Sequence, residues 1–135
     1  MSRLIEYAEA SPEARAVFDD IKATRKVADV NNFWKALAVH PPTLTRTWES
    51  LKEVMAPGAL DPLTKELVYL AISASNGCDY CIDSHGKAAE AKGMTEEMHG
   101  ELLAIVGMAN ETNRLANAFR VPVDPAFEDE RQLSC

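Results

Sequence analysis

Asp61-Pro62-Leu63-Thr64-Lys65-Glu66-Leu67-Val68-Tyr69-Leu70-Ala71-Ile72-Ser73-Ala74-Ser75-Asn76-Gly77-Cys78-Asp79-Tyr80-Cys81-Ile82-Asp83-Ser84-His85 reads as a helix, a turn and the start of a second helix. Asp61 is a helix cap, and Pro62 suits the first helical position, where its missing N–H goes unneeded. Residues 67–74 are apolar nearly all round, which predicts a helix buried on most sides. Asn76-Gly77 ends it. The next helix begins near Cys78 and runs to about Lys92, where Gly93 is a C-terminal stop.

Working outward, the same signals recur. Ser11-Pro12-Glu13 starts a helix whose apolar stripe is Ala14, Val17, Phe18 and Ile21. A short helix from about Phe33 to Val39 ends at His40-Pro41-Pro42, because a residue before proline is pushed out of the helical region. Another runs from about Pro42 to Met55, with Leu44, Trp48, Leu51 and Met55 on one face, and Pro57-Gly58 breaks it. Thr95-Glu96-Glu97 caps a helix reaching Val106, and a last one covers Met108 to Phe119. No segment alternates with period two. The expectation is an all-α, single-domain bundle of about six to seven helices joined by short antiparallel connections. Residues 1–135 form one domain, with the motif-bearing core at about residues 40–120. Residues 121–135 read as a tail, with Pro122, Pro125 and the acidic run Glu128-Asp129-Glu130. Trp34 and Trp48 are expected to pack in the core or at a subunit interface.

Composition narrows the function. Apolar residues make up 47% of the 135-residue chain and charged residues 26%, an ordinary globular balance. A net charge of −7 with scattered Lys and Arg argues against a nucleic-acid partner. No apolar run is long enough to span a membrane, and Met1 to Glu6 carry no signal core. The chain reads as cytoplasmic. Three cysteines are too few, and odd in number, for a structural disulfide framework, and the terminal Cys135 is assigned no role. Residues 102–109, like 67–74, are apolar almost all round. A chain of this size has little room to bury two such helices, so an oligomer is expected.

The chemistry gathers in one constellation. Cys78 and Cys81 are three apart, His85 follows by four, and Glu66 lies twelve before Cys78. Cys78 in the first turn of its helix would meet unpaired N–H groups and the positive end of the dipole, which favour thiolate. A spacing of three returns Cys81 to nearly the same face, within reach of a disulfide. His85 lies one turn beyond Cys81, where an imidazole can take and return a thiol proton. Glu66 is its candidate orienter, since a carboxylate on a buried helix must be paired. Alternatively, Cys78, Cys81, His85 and Glu66 are four residues of zinc-ligand type, although a second Cys/His pair is missing.

The pattern Glu66-x11-Cys78-x2-Cys81-x3-His85, with Leu63-Thr64-Lys65 before it and Ala88 and Gly93-Met94-Thr95 after it, resembles the alkyl hydroperoxidase D family of the carboxymuconolactone decarboxylase-like superfamily. The resemblance implies an all-helical fold assembled into homo-oligomers, trimers or hexamers. It implies reduction of hydroperoxides by the cysteine pair with no cofactor beyond the redox disulfide. The reductant would be a dithiol, such as a lipoylated or thioredoxin-like protein. Cys81 would be the peroxidatic thiol, passing through a sulfenic acid. Cys78 would resolve it and donate a proton, while Glu66 and His85 would form a relay. Tyr80 stands where well-studied members carry a further relay histidine, and a phenol titrates near pH 10. Its expected place is beside the relay, which it leaves shorter. Two other functions fit the superfamily or the pattern less closely. One is a cofactor-free lactone-acid decarboxylase, which has no need of Cys78. The other is a non-enzymatic helical assembly with a vestigial or metal-binding cysteine pair.

Overall fold

The computed structural model describes residues 3–127, and every element in it is helical. A 3-10 turn at Tyr7–Glu9 precedes α1 (Pro12–Arg25), α2 (Asn32–Leu37), α3 (Pro41–Met55), α4 (Pro62–Asn76), α5 (Asp79–Ala91) and α6 (Glu96–Ala118). The chain divides between Pro57 and Gly58 into two compact units. Cys135 and the acidic run Glu128-Asp129-Glu130 lie outside the described residues.

The first unit holds the larger apolar core. Ser11 caps α1 by accepting the Ala14 N–H at 3.2 Å, with Pro12 just inside. Val17, Phe18 and Ile21 of α1 then pack with Trp34, Ala38, Leu44 and Trp48. The two tryptophans meet edge to face at 5.4 Å, both 2% exposed, so they serve the core. The Trp48 indole N–H donates to Asp20 at 2.6 Å. Lys35 is buried too, its ammonium shared by Glu6 and Asp29 at 2.8 Å each. This pairing offsets the cost of burying the charge.

The second unit is α4 with α5 and α6 packed on it. Asp61 caps α4 by accepting the Thr64 N–H at 3.1 Å. The turn out of α4 is a Schellman motif: Gly77 sits at φ 68°, and the Cys78 N–H reaches back to the Ser73 carbonyl at 3.0 Å. Cys78 leaves this turn directly as the N-cap of α5, one residue outside the helix proper. The device repeats at Gly93 (φ 105°), where the Met94 N–H donates to the Ala89 carbonyl at 2.9 Å. Thr95 then caps α6.

Two helices differ from what their sequences predict. Residues 96–118 form one helix rather than two, because Gly107 alone does not stop it. A helical glycine costs about 1 kcal/mol relative to alanine, and neither a proline nor a cap residue follows to end the ladder. Nor is α4 buried on most sides. Glu66, Leu70 and Ser73 form its single buried stripe, while Val68 is 48% and Ile72 56% exposed. The helix α6 has no buried residue at all. Three helices cannot enclose one another, so each offers one face to its neighbours and leaves the rest outside.

The Gly77 turn fixes how α5 returns along α4. A Cβ there would meet no atom within 4 Å, so substitution costs backbone strain alone. Gly77→Ala should lower unfolding free energy by about 1 kcal/mol, read as a lower urea midpoint with unchanged slope.

Candidate active site

Glu66 lies in the second turn of α4, on the stripe that meets α5. Its side chain is 8% exposed, and each carboxylate oxygen has its own donor. His85 Nδ1 is 2.8 Å from Oε2, and Lys92 Nζ is 2.8 Å from Oε1. Burial pushes this carboxyl up. The hydrogen bonds from His85 and Lys92, together with the Lys92 charge, outweigh that and hold it below the ordinary carboxylate range. A carboxylate only accepts, so the His85 Nδ1 carries a proton, and in the neutral ring Nε2 then holds the lone pair.

The imidazole is fixed in a second direction. Tyr69, one turn after Glu66 on α4, stacks on the His85 ring with centroids 3.6 Å apart and planes 19° from parallel. The spacing of three between Glu66 and Tyr69 puts both on the side of α4 that faces α5. Stacking limits ring rotation, and the Glu66 bond selects the tautomer.

Cys78 and Cys81 are joined as a disulfide, with Cα atoms 5.3 Å apart. That separation lies within the normal range, so the helix accepts the bond without rebuilding. The Cys81 N–H points at Cys78 Sγ, 3.4 Å away, as the cap bond of α5. Both cysteines are half-buried. His85 follows Cys81 by one turn of the same helix. Tyr80, in the first turn of α5, is 44% exposed. Among the described residues no three His, Cys, Asp or Glu side chains converge on a common metal position.

The structure thus brings Glu66 to His85 and Cys78 to Cys81. Sequence reasoning missed Lys92 and Tyr69. Both carried a periodic signal: Lys92 follows His85 by seven residues, two turns on the same face, and Tyr69 follows Glu66 by three.

Because the folded Glu66 carboxyl sits below its unfolded value of about 4.3, its stabilising contribution is complete above that value. The contribution is lost as pH falls through the lower folded value. The stability gap between wild type and Glu66→Gln, measured by urea unfolding, should therefore be constant near neutrality and narrow as pH falls below the ordinary carboxylate range.

Comparison with known proteins places this geometry in a family. Residues 41–124, from α3 through α6, match the model of the carboxymuconolactone decarboxylase family. The chain is 34% identical over 107 residues to the alkyl hydroperoxide reductase AhpD of Solibacter usitatus, covering 77% of this chain and 59% of that protein. It is 30% identical over 122 residues to the AhpD of Koribacter versatilis, covering 88% of this chain and 61% of that one. It thus spans about three-fifths of the length of these curated relatives. The crystal structure of the alkylhydroperoxidase AhpD core from Rhodospirillum rubrum superposes with a TM-score of 0.89 at 55% identity, over 94% of this chain and 96% of that one. A complete fold match at that identity, together with the family model, makes this chain a member of the carboxymuconolactone decarboxylase family in its AhpD-like branch.

Proposed function

We propose that this chain is a dithiol peroxidase and thiol-disulfide oxidoreductase that reduces hydroperoxides through Cys81 and Cys78. The supporting observation is the pairing, on one helix, of a disulfide-forming Cys78–Cys81 with a His85 oriented by Glu66 at 2.8 Å. The AhpD names of its relatives point the same way.

The steps balance without a cofactor. His85 Nε2 takes the Cys81 proton, and the thiolate attacks the terminal peroxide oxygen. The O–O bond breaks, Cys81 becomes a sulfenic acid, and the departing alkoxide receives a proton from Cys78 to leave as an alcohol. The Cys78 sulfur then displaces hydroxide from Cys81, which takes up the proton held by His85 and departs as water, closing the disulfide. An external dithiol, carried by a lipoylated or thioredoxin-like protein, reduces that bond by exchange and is itself oxidised. Tyr80 acts beside this relay as a hydrogen-bonding phenol. A decarboxylase, the activity that names the family, needs no second thiol and would survive Cys78→Ser.

One equivalent of cumene hydroperoxide should remove two thiols from the reduced protein as a Cys78–Cys81 disulfide. Cys78→Ser should instead stop at a dimedone-reactive sulfenic acid on Cys81. His85→Asn and Glu66→Gln should slow thiol loss by about 100-fold. Thiols that persist under peroxide in wild type would remove the peroxidase reading.

The same proposal extends to assembly as a trimer or hexamer. No residue of the 23-residue α6 is fully buried, and Ile105 is 68% and Met108 59% exposed. With the exposed Val68 and Ile72 of α4, these side chains offer apolar surface of the kind a subunit contact covers. Light scattering should give a multiple of 14.8 kDa, and Ile105→Glu should shift the mass towards the single chain.

A further inference from the structure

Glu66 has two partners, and the relay described above uses only one of them. Lys92 stands at the C-cap of α5, just past the last helical residue, with 38% of its side chain exposed. Its ammonium reaches inward to Oε1 of a carboxylate that is itself nearly buried. We propose that Lys92 is a positioning residue of this site: it occupies Glu66 Oε1, which leaves Oε2 as the acceptor for His85 Nδ1–H and Nε2 as the basic nitrogen of the ring. The proposal rests on the peroxidase reading only for its kinetic consequence.

The reason lies in what a buried carboxyl does when one partner is withdrawn. Without Lys92, Oε1 is a desolvated acceptor with no donor, which is costly. The carboxyl relieves that cost by taking up a proton. A protonated carboxyl gains a donor, and where it donates from Oε2, His85 accepts at Nδ1 and carries its own proton on Nε2. The lone pair moves from the outer nitrogen to the inner one, and the ring ceases to be a base towards Cys81. A cation on Oε1 prevents this exchange by keeping the carboxyl an acceptor on both oxygens.

Among the described residues, the ammonium paired with Glu66 is that of Lys92. Both groups that hold Glu66, Lys92 and His85, are supplied by α5 and its cap. Elsewhere on α5, Glu90 pairs with Lys87. From α6, Glu101 lines a shallow groove with Leu67, Val68 and Ala71, on a different face of α4. On α4 itself, Tyr69 is engaged in stacking with His85.

Two measurements on the reduced protein test this. Nitrogen-15 NMR reports the tautomer of His85 without any turnover, with the signal assigned by its loss in His85→Asn. Wild type should show the Nδ1–H form. Lys92→Met should transfer population to the Nε2–H form as pH falls from neutrality, and Lys92→Arg, which restores a cationic donor, should recover the wild-type spectrum. In parallel, the acid limb of peroxide-dependent thiol loss should move up by about one pH unit in Lys92→Met, a roughly tenfold slower reaction on that limb. Should Lys92→Met fail to fold, Lys92→Gln, a donor without charge, is read in the same way and should fall between wild type and the loss. A wild-type tautomer and acid limb in the Met or Gln variant would overturn the proposal. A tautomer change in protein whose thiols ignore peroxide would uphold Lys92 as the positioning residue and reject the peroxidase reading instead.

Discussion

A carboxylate inside a helix bundle must be answered by donors on both oxygens, and Glu66 is such a group. Desolvation alone would raise its pKa. The imidazole on one oxygen and the ammonium on the other reverse that direction. The rest of the second unit follows from this requirement. α5 has to run back along α4 at a register that brings His85 and Lys92, two turns apart, to one side chain. Tyr69 then closes over the imidazole from the same stripe of α4.

The register is set at the turn. Gly77 adopts the left-handed conformation that a side chain would oppose, and the Cys78 N–H closes the Schellman bond to Ser73. This gives Cys78 two structural tasks besides its sulfur chemistry. Its N–H ends one helix, and its Sγ caps the next by accepting the Cys81 N–H. The compact spacing of the motif is therefore as much a matter of helix ending and starting as of chemistry.

Packing in the two units differs in kind. The first buries aromatic side chains, Trp34, Phe18 and Trp48, around a continuous apolar core, and ties down Lys35 with two carboxylates. The second buries little beyond Leu70, Ala89 and the site itself, leaving apolar residues of α4 and α6 outside. A helix of uniform hydropathy carries no information about which of its faces a neighbour will cover. That is why residues 67–74 and 102–109 read as buried on most sides, although this chain alone cannot enclose them.

The sequence by itself determined the helical class, most helix ends, and the Glu66, Cys78, Cys81 and His85 constellation. Caps, prolines and glycines act within a few residues, and a spacing of three or four along a helix is a fixed distance. Local signals failed at Gly107, where a single glycine carried no cap beside it and the ladder ran on. Tertiary structure alone decided that Glu66 meets His85 through Oε2 and Lys92 through Oε1, and that Tyr69 stacks on the imidazole. It also decided which narrow stripe of α4 is buried. Those outcomes depend on the rotation of α5 about its own axis against α4, a packing variable to which no local pattern is sensitive.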